Sequence, residues 1–198
     1  MTLPNQLTIL RIILSPVFLF FFLSELIWMK QVSVAIYIIA ALSDWYDGWL
    51  ARKFNYITSW GKFWDPLADK ILTSAAFIGF AIVDLLPWWM VIIIVGRDVI
   101  ITLLRLFSDM KNYAFTTSYY AKWKTMLQMV LLYYLLILFV AQYSPEINIV
   151  YGKLISMLLN KQLIFFIGLV ITLITFHSGL LYIIRNWKII LRLLEIEN

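Results

Sequence analysis

Cysteine is absent from this chain, and histidine occurs once, as His177. The first absence excludes disulfides, zinc–thiolate centres and thiol nucleophiles together. The second excludes a metal site built from several imidazoles. Any metal is therefore held by oxygen, which favours hard ions such as Mg²⁺, Mn²⁺ or Ca²⁺. Charge is scarce too. Only 14% of the 198 residues are charged, against about 25% in an ordinary soluble domain. What fills the space is apolar: 63% hydrophobic and 17% aromatic residues, with a mean hydropathy of +0.89. One soluble domain of this size cannot hide that much apolar surface. Disorder is excluded as well, because disordered chains are poor in aromatic and β-branched residues.

An integral membrane protein remains. The length suits a single domain, residues 1–198, with about six spans of roughly 20 residues each. The apolar segments predict spans at 9–28, 32–51, 63–83, 86–106, 120–141 and 163–184. They are continuous runs, so helices are expected and a β-barrel is not. The longest polar connections are 107–119 and 142–162. No basic segment followed by a cleavage site opens the chain, so no removable signal peptide is expected. No internal repeat or low-complexity segment is visible. The expected fold is all-α, with six transmembrane helices around a polar cavity facing the cytoplasm.

Orientation follows from the basic residues. Lys30, Lys153 and Lys161 fall on one side of this plan and the other Lys and Arg residues on the opposite side. The positive-inside rule puts that basic side, with both termini, in the cytoplasm. A net charge of +5 is too small and scattered to point to nucleic acid. It suits anionic lipid or phosphate partners. Trp28 on one face and Trp60 and Trp64 on the other fit interfacial belts.

The most informative stretch runs from Ser43 to Lys70. Asp44 and Asp47 stand at i,i+3, and Asp65 and Asp69 at i,i+4, so each pair shares a helix face. Intramembrane carboxylates are costly and mark function by default. Asp44 follows about 12 residues of its span, roughly 18 Å at 1.5 Å per residue, and the next span returns from the same side. The four acids are thus expected at one depth, where they cannot all stay ionised without shared cations. Carboxylates alone suit one or two Mg²⁺-like ions. Gly48, Ala51 and Ala68 allow close helix approach. Arg52, Lys62 and Lys70 flank the acids. Metals with basic groups around phosphates suit in-line phosphoryl transfer.

Written from Asp44 to Asp69, the segment is D-x-x-D-G-x-x-A-R-x8-G-x-x-x-D-x-x-x-D. It resembles the CDP-alcohol phosphatidyltransferase signature at every fixed position. The resemblance implies attack of an alcohol hydroxyl on the β-phosphorus of a CDP-linked lipid, with release of CMP. It assigns Asp44, Asp47, Asp65 and Asp69 to Mg²⁺ or Mn²⁺, with two ions, and makes Asp69 the general base. It places Gly48, Gly61 and Arg52 against the nucleotide and its phosphates. The segment Asn5-x-x-Thr8-x-x-Arg11 is similar to the family's N-terminal segment, which implies that Asn5 and Thr8 lie near the nucleotide.

Asp65-Pro66-Leu67-Ala68-Asp69-Lys70, and Lys122-Trp123-Lys124-Thr125 followed by Gln128, are most similar to the branch whose acceptor is glycerol 3-phosphate. Arg97 and Arg105 match its basic pair. With Lys122 and Lys124 they form the expected acceptor-phosphate pocket. The chain departs from that branch at Asp98, where Glu is usual, at Ala121, where Gly is usual, and over 107–119. The implied donor is CDP-diacylglycerol, the implied product phosphatidylglycerol phosphate, the implied assembly a homodimer, and the implied location the inner (cytoplasmic) membrane. Another acceptor such as inositol phosphate is the nearest alternative. Paired carboxylates also occur in cation-coupled transporters, although no repeated halves are visible here.

The remaining polar residues have plainer expectations. His177, beside Ser178 and Gly179, reads as a hydrogen-bonded packing residue. Glu25 and Asp84 read as solvated, Phe18–Phe22 as lipid-facing or core, and Pro16 as a kink. Arg185, Lys188 and Arg192 read as anchors of the C-terminus.

Overall fold

The computed structural model describes residues 3–54, 59–111, 113 and 119–193; within its helices the side chains of 3, 4, 45, 47, 48, 50–52, 54, 59, 60, 62, 119 and 121 fall outside that description. The described chain is all helical. Its elements are α1 (Leu3–Leu23), α2 (Ile27–Phe54), α3 (Ser59–Ile82), α4 (Trp88–Met110), α5 (Tyr119–Ala141), α6 (Pro145–Leu158), α7 (Lys161–Arg185) and α8 (Trp187–Leu193). The long helices α1–α5 and α7 overlap the six apolar segments expected from the sequence. Four of them, α1, α2, α5 and α7, contain windows long and apolar enough to cross a membrane. Charges interrupt the other two: Asp65, Asp69 and Lys70 in α3, and Arg97, Asp98 and Arg105 in α4.

The first boundary differs from expectation. α1 begins at Leu3, taking the polar residues Asn5, Gln6 and Thr8 into the helix, and ends at Leu23 rather than near Trp28. The stop is local. The Ser24 hydroxyl accepts a hydrogen bond from the Leu26 N–H at 3.2 Å, a side-chain turn that competes with helix propagation. Trp28 therefore belongs to α2, where it is exposed. α1 itself continues through Pro16. The expected connection 142–162 also holds a helix, α6, with Pro145 in its first turn, where a missing N–H costs nothing. α7 follows from an Asn160 cap, whose side chain accepts from the N–H groups of Gln162 and Leu163. Asp84 turns the chain between α3 and α4 at φ 56°, a conformation that Asp tolerates better than most residues.

The long helices close on one another. α1 packs on α2 and α3, α3 on α4, α4 on α7, α7 on α5, and α5 returns to α2. Their interior is aromatic at one end. Phe22 stacks on Phe18 at 5.6 Å and meets Phe80 and Phe139 at 5.8 and 5.1 Å. Gly79 permits this contact, because a Cβ there would lie 3.0 Å from the Phe22 ring. The Phe18–Phe22 run is split: Phe18 and Phe22 are buried, while Phe20 is 68% exposed. Outward faces carry Ile13, Leu42, Ile92, Ile100, Val130, Phe166 and Leu173, all exposed. Soluble proteins rarely show so broad an apolar exterior, whereas a bilayer requires it. The chain is a membrane protein.

Candidate functional site

The site begins with a polar stripe on α1. Asn5, Thr8 and Arg11 recur every three residues and are buried, Thr8 and Arg11 completely. That stripe faces the acids. Arg11 Nη1 lies 2.7 Å from Asp44 Oδ1, and Thr8 Oγ1 donates to Asp65 Oδ1 at 2.5 Å. On α3, Lys70 Nζ sits 3.4 Å from Asp69 Oδ2. Asp44 is within electrostatic reach of both Asp65 and Asp69, and of Lys70. Three of the four expected metal-binding acids thus share one region between α2 and α3. The fourth, Asp47, lies in α2 with its side chain outside the described residues, as do Gly48 and Arg52. Gly61 is buried in the first turn of α3.

The donor set fits a hard divalent cation in chemistry: carboxylates, with no sulfur or imidazole beside them. The side chains themselves are engaged with protein partners. Among the described residues no three acidic or imidazole groups gather closely enough to hold one ion. Asp44 and Asp69 keep 47% and 33% of their side-chain exposure, so both carboxylates remain reachable. Asp69 is also within electrostatic reach of Tyr37 and Tyr133, placing it at the boundary of α2, α3 and α5.

Beyond Asp69 opens a cavity of about 640 Å³. Asp69, Lys70, Arg97, Arg105 and Lys122 line it together with Tyr182. Three helices, α3, α4 and α5, therefore bring basic groups to one space that also holds a carboxylate. Part of the lining is apolar, supplied by Ile101, Leu106, Met126 and Met129. In such surroundings a charge pair is weakly screened: about 4 kcal/mol at 4 Å for an effective dielectric constant of about 20. Arg105 and Lys122 are exposed, and the Arg105 guanidinium lies 6.0 Å from the centre of the Tyr182 ring. Asp109 completes the rim.

Lys124 departs from its expected place in the acceptor pocket. It is buried and does not line the cavity; its ammonium binds Asp98 Oδ1. The reason is Asp98 itself. That carboxylate is 4% exposed and would be strongly destabilising without counter-charges. It receives Lys124, Arg97 Nη1 at 3.1 Å and Gln128 Nε2 at 3.0 Å, with Lys70 Nζ 4.0 Å away. One buried acid thus ties α3, α4 and α5 together behind the basic wall. The cations around Asp98 outnumber it, so the wall is net positive and suits an anion.

Sequence reasoning missed two of these partners. Arg11 closes the Asn5-x-x-Thr8-x-x-Arg11 segment and falls on the basic side, but no role is expected for it, although its spacing from Asn5 and Thr8 marks a single face. Asp98 departs from the usual Glu and stands beside Arg97 as a ready partner, but its pairing with Lys124 and Gln128 is not evident; the available signal is an acid in the middle of an apolar segment, with Lys124 and Gln128 one turn apart in another. His177 is exposed, but its Nδ1 lies 3.4 Å from the Tyr120 hydroxyl and its ring meets the Tyr120 ring edge-on at 5.6 Å. Glu25 and Asp84 are exposed.

Similarity to known proteins agrees with this arrangement. The family model described as CDP-alcohol phosphatidyltransferase matches residues 1–174. A Bacillus subtilis (strain 168) protein named CDP-diacylglycerol–glycerol-3-phosphate 3-phosphatidyltransferase is 45% identical over 116 residues, covering 52% of this chain and 60% of that protein. Proteins of the same name from Salmonella typhimurium and Escherichia coli (strain K12) are 34% and 33% identical over 175 residues, each match covering 86% of this chain and 88% of the relative. The chain belongs to the CDP-alcohol phosphatidyltransferase family.

Proposed function

We propose that this protein transfers a phosphatidyl group from CDP-diacylglycerol to glycerol 3-phosphate, releasing CMP and forming phosphatidylglycerol phosphate. The observation that carries this reading is the shared cavity: Asp69 on one wall, and Arg97, Arg105 and Lys122 on the others. A phosphorylated alcohol fits that division of charge. Its phosphate meets the three bases, where Arg presents a fork matched to phosphate oxygens. Its free hydroxyl is directed to Asp69. That carboxylate takes the proton as the hydroxyl oxygen bonds to the β-phosphorus, and the bond from that phosphorus to the CMP oxygen breaks. The names of the relatives support the same donor and acceptor.

Asp44, Asp47, Asp65 and Asp69 would hold the divalent cation, Mg²⁺ or Mn²⁺, as two ions in this reading. Bound there, it supplies positive charge against the pyrophosphate and the leaving CMP. Arg11 and Thr8 hold two of those carboxylates in place from α1, and Lys70 steadies Asp69. Asn5, Thr8, Gly48, Gly61 and Arg52 take the nucleotide side of the donor. In this reading α1–α5 and α7 all cross the inner membrane, the cavity and both termini face the cytoplasm, and the donor's acyl chains stay in lipid. A homodimer is the proposed assembly.

The test is CMP release by purified protein from CDP-diacylglycerol, with and without Mg²⁺, across a panel of acceptor alcohols. Mg²⁺-dependent release with glycerol 3-phosphate, and not with inositol phosphate or glycerol, is the expected result. Release with a different alcohol would keep the reaction and replace the acceptor. Cation flux in liposomes without CMP release would overturn the reading.

A further inference from the structure

The cavity's bases are not equally free. Arg105 and Lys122 are exposed and reach the space from its rim. Arg97 lies deep in α4, and its side chain crosses the surface of α7 to get there. It crosses at one place. A Cβ added at Gly179 would lie 2.9 Å from Arg97 Cγ and within 4 Å of its Cδ and Nε. Beside that gap, Arg97 Nη2 donates to Ser178 Oγ at 2.7 Å. Nη1 goes to Asp98 on Arg97's own helix at 3.1 Å, and Nε has no partner among the described residues. The guanidinium is thus fixed through its two terminal nitrogens. Ser178 is buried, so this hydrogen bond does not compete with water.

We propose that Ser178 and Gly179 are positioning residues for the acceptor: Gly179 opens the path for the Arg97 stem across α7, and Ser178 sets the angle of its guanidinium in the cavity. This rests on reading Arg97 as a ligand of the acceptor phosphate. Neither residue lines the polar cavity, so both act through Arg97. The physical requirement is geometric. Arg binds phosphate well only when two N–H groups of its fixed fork face two oxygens. Asp98 alone anchors one corner of the fork and leaves rotation about that contact. Ser178 supplies the second corner. Alanine at 179 displaces the stem near its root, where a small shift becomes a large one at the guanidinium.

The experiment is steady-state kinetics of Ser178→Ala and Gly179→Ala in both substrates, with Arg97→Ala as reference. Ser178→Ala is expected to raise the KM for glycerol 3-phosphate about tenfold, the loss of one charge-assisted hydrogen bond, and Gly179→Ala, which displaces the stem, to raise it in the same direction. The KM for CDP-diacylglycerol and kcat should stay within about twofold of the parent. Ser178→Thr, which keeps the hydroxyl, should recover most of the acceptor KM. In an Arg97→Ala background, Ser178→Ala should add nothing, since positioning residues have no effect once their target is gone. If Arg97→Ala raises the acceptor KM and the α7 variants do not, the positioning role is wrong. Additive effects of Ser178→Ala on Arg97→Ala would equally contradict it. If Arg97→Ala leaves the acceptor KM unchanged, the ligand reading of Arg97 fails instead. Should Gly179→Ala not fold, Ser178→Ala and its rescue decide the question alone.

Discussion

The two halves of the site hold their charges differently. In the acidic half, Asp44 and Asp65 meet partners on α1, Asp69 meets its neighbour Lys70, and Asp44 and Asp69 stay partly open. In the basic half, Asp98 is buried and surrounded by Lys70, Arg97, Lys124 and Gln128. An open carboxylate exchanges partners at little cost. A closed one does not, because losing a partner strands a charge in low dielectric. The comparison separates chemistry from architecture. Asp44 and Asp69 stay open to ligands, whereas Asp98 holds helices and bases in register.

The largest effect should come from Asp69→Asn. It removes the general base and one acid of the cation site while keeping the shape, so kcat should fall by about a factor of 10³ or more with the melting temperature nearly unchanged. Retained activity would deny Asp69 its role as base. Chelating divalent cations should abolish CMP release to a similar extent, and readdition of Mg²⁺ should restore it.

Asp98→Ala should do the reverse. Stranding Lys124 and Arg97 should cost about 3–5 kcal/mol of stability, the range for breaking a buried ion pair, as a clear drop in melting temperature in detergent. If this variant melts like the parent, Asp98 is not the structural centre of the basic half. Arg105→Ala sharpens the same contrast with a smaller change: the KM for glycerol 3-phosphate should rise about tenfold, about 1.4 kcal/mol, without altering the donor KM. The smallest effect belongs to α6. Ile149 is 85% exposed and far in sequence from the site, and Ile149→Ser should change stability by no more than about 0.5 kcal/mol and leave kinetics alone.

Much of this was legible before the fold. Continuous apolar runs predicted the long helices, and the spacing of Asp44, Asp47, Asp65 and Asp69 predicted shared faces. Arg97, Arg105 and Lys122 were expected together and line one cavity. What sequence could not reveal was which opposite charges meet. Lys124 and Arg105 look alike in the chain, yet one is buried against Asp98 and the other exposed at the cavity. The choice depends on helix rotation within the bundle, which apolar content alone does not set. Arg11 shows the same limit: its spacing marks a face, but only the packing of α1 on α2 supplies Asp44 as partner. The helix α6 was hidden because its apolar residues are exposed along a short polar-flanked segment rather than gathered in a long run.

The division into halves is tested most directly by measuring equilibrium binding of glycerol 3-phosphate to the purified protein with Mg²⁺ and then with EDTA, with CDP-diacylglycerol binding measured in parallel. Acceptor binding carried by Arg97, Arg105 and Lys122 should survive cation removal within about threefold, and donor binding should weaken by more than about tenfold. Loss of acceptor binding together with donor binding would show that one cation-dependent site holds both substrates, and would contradict the account.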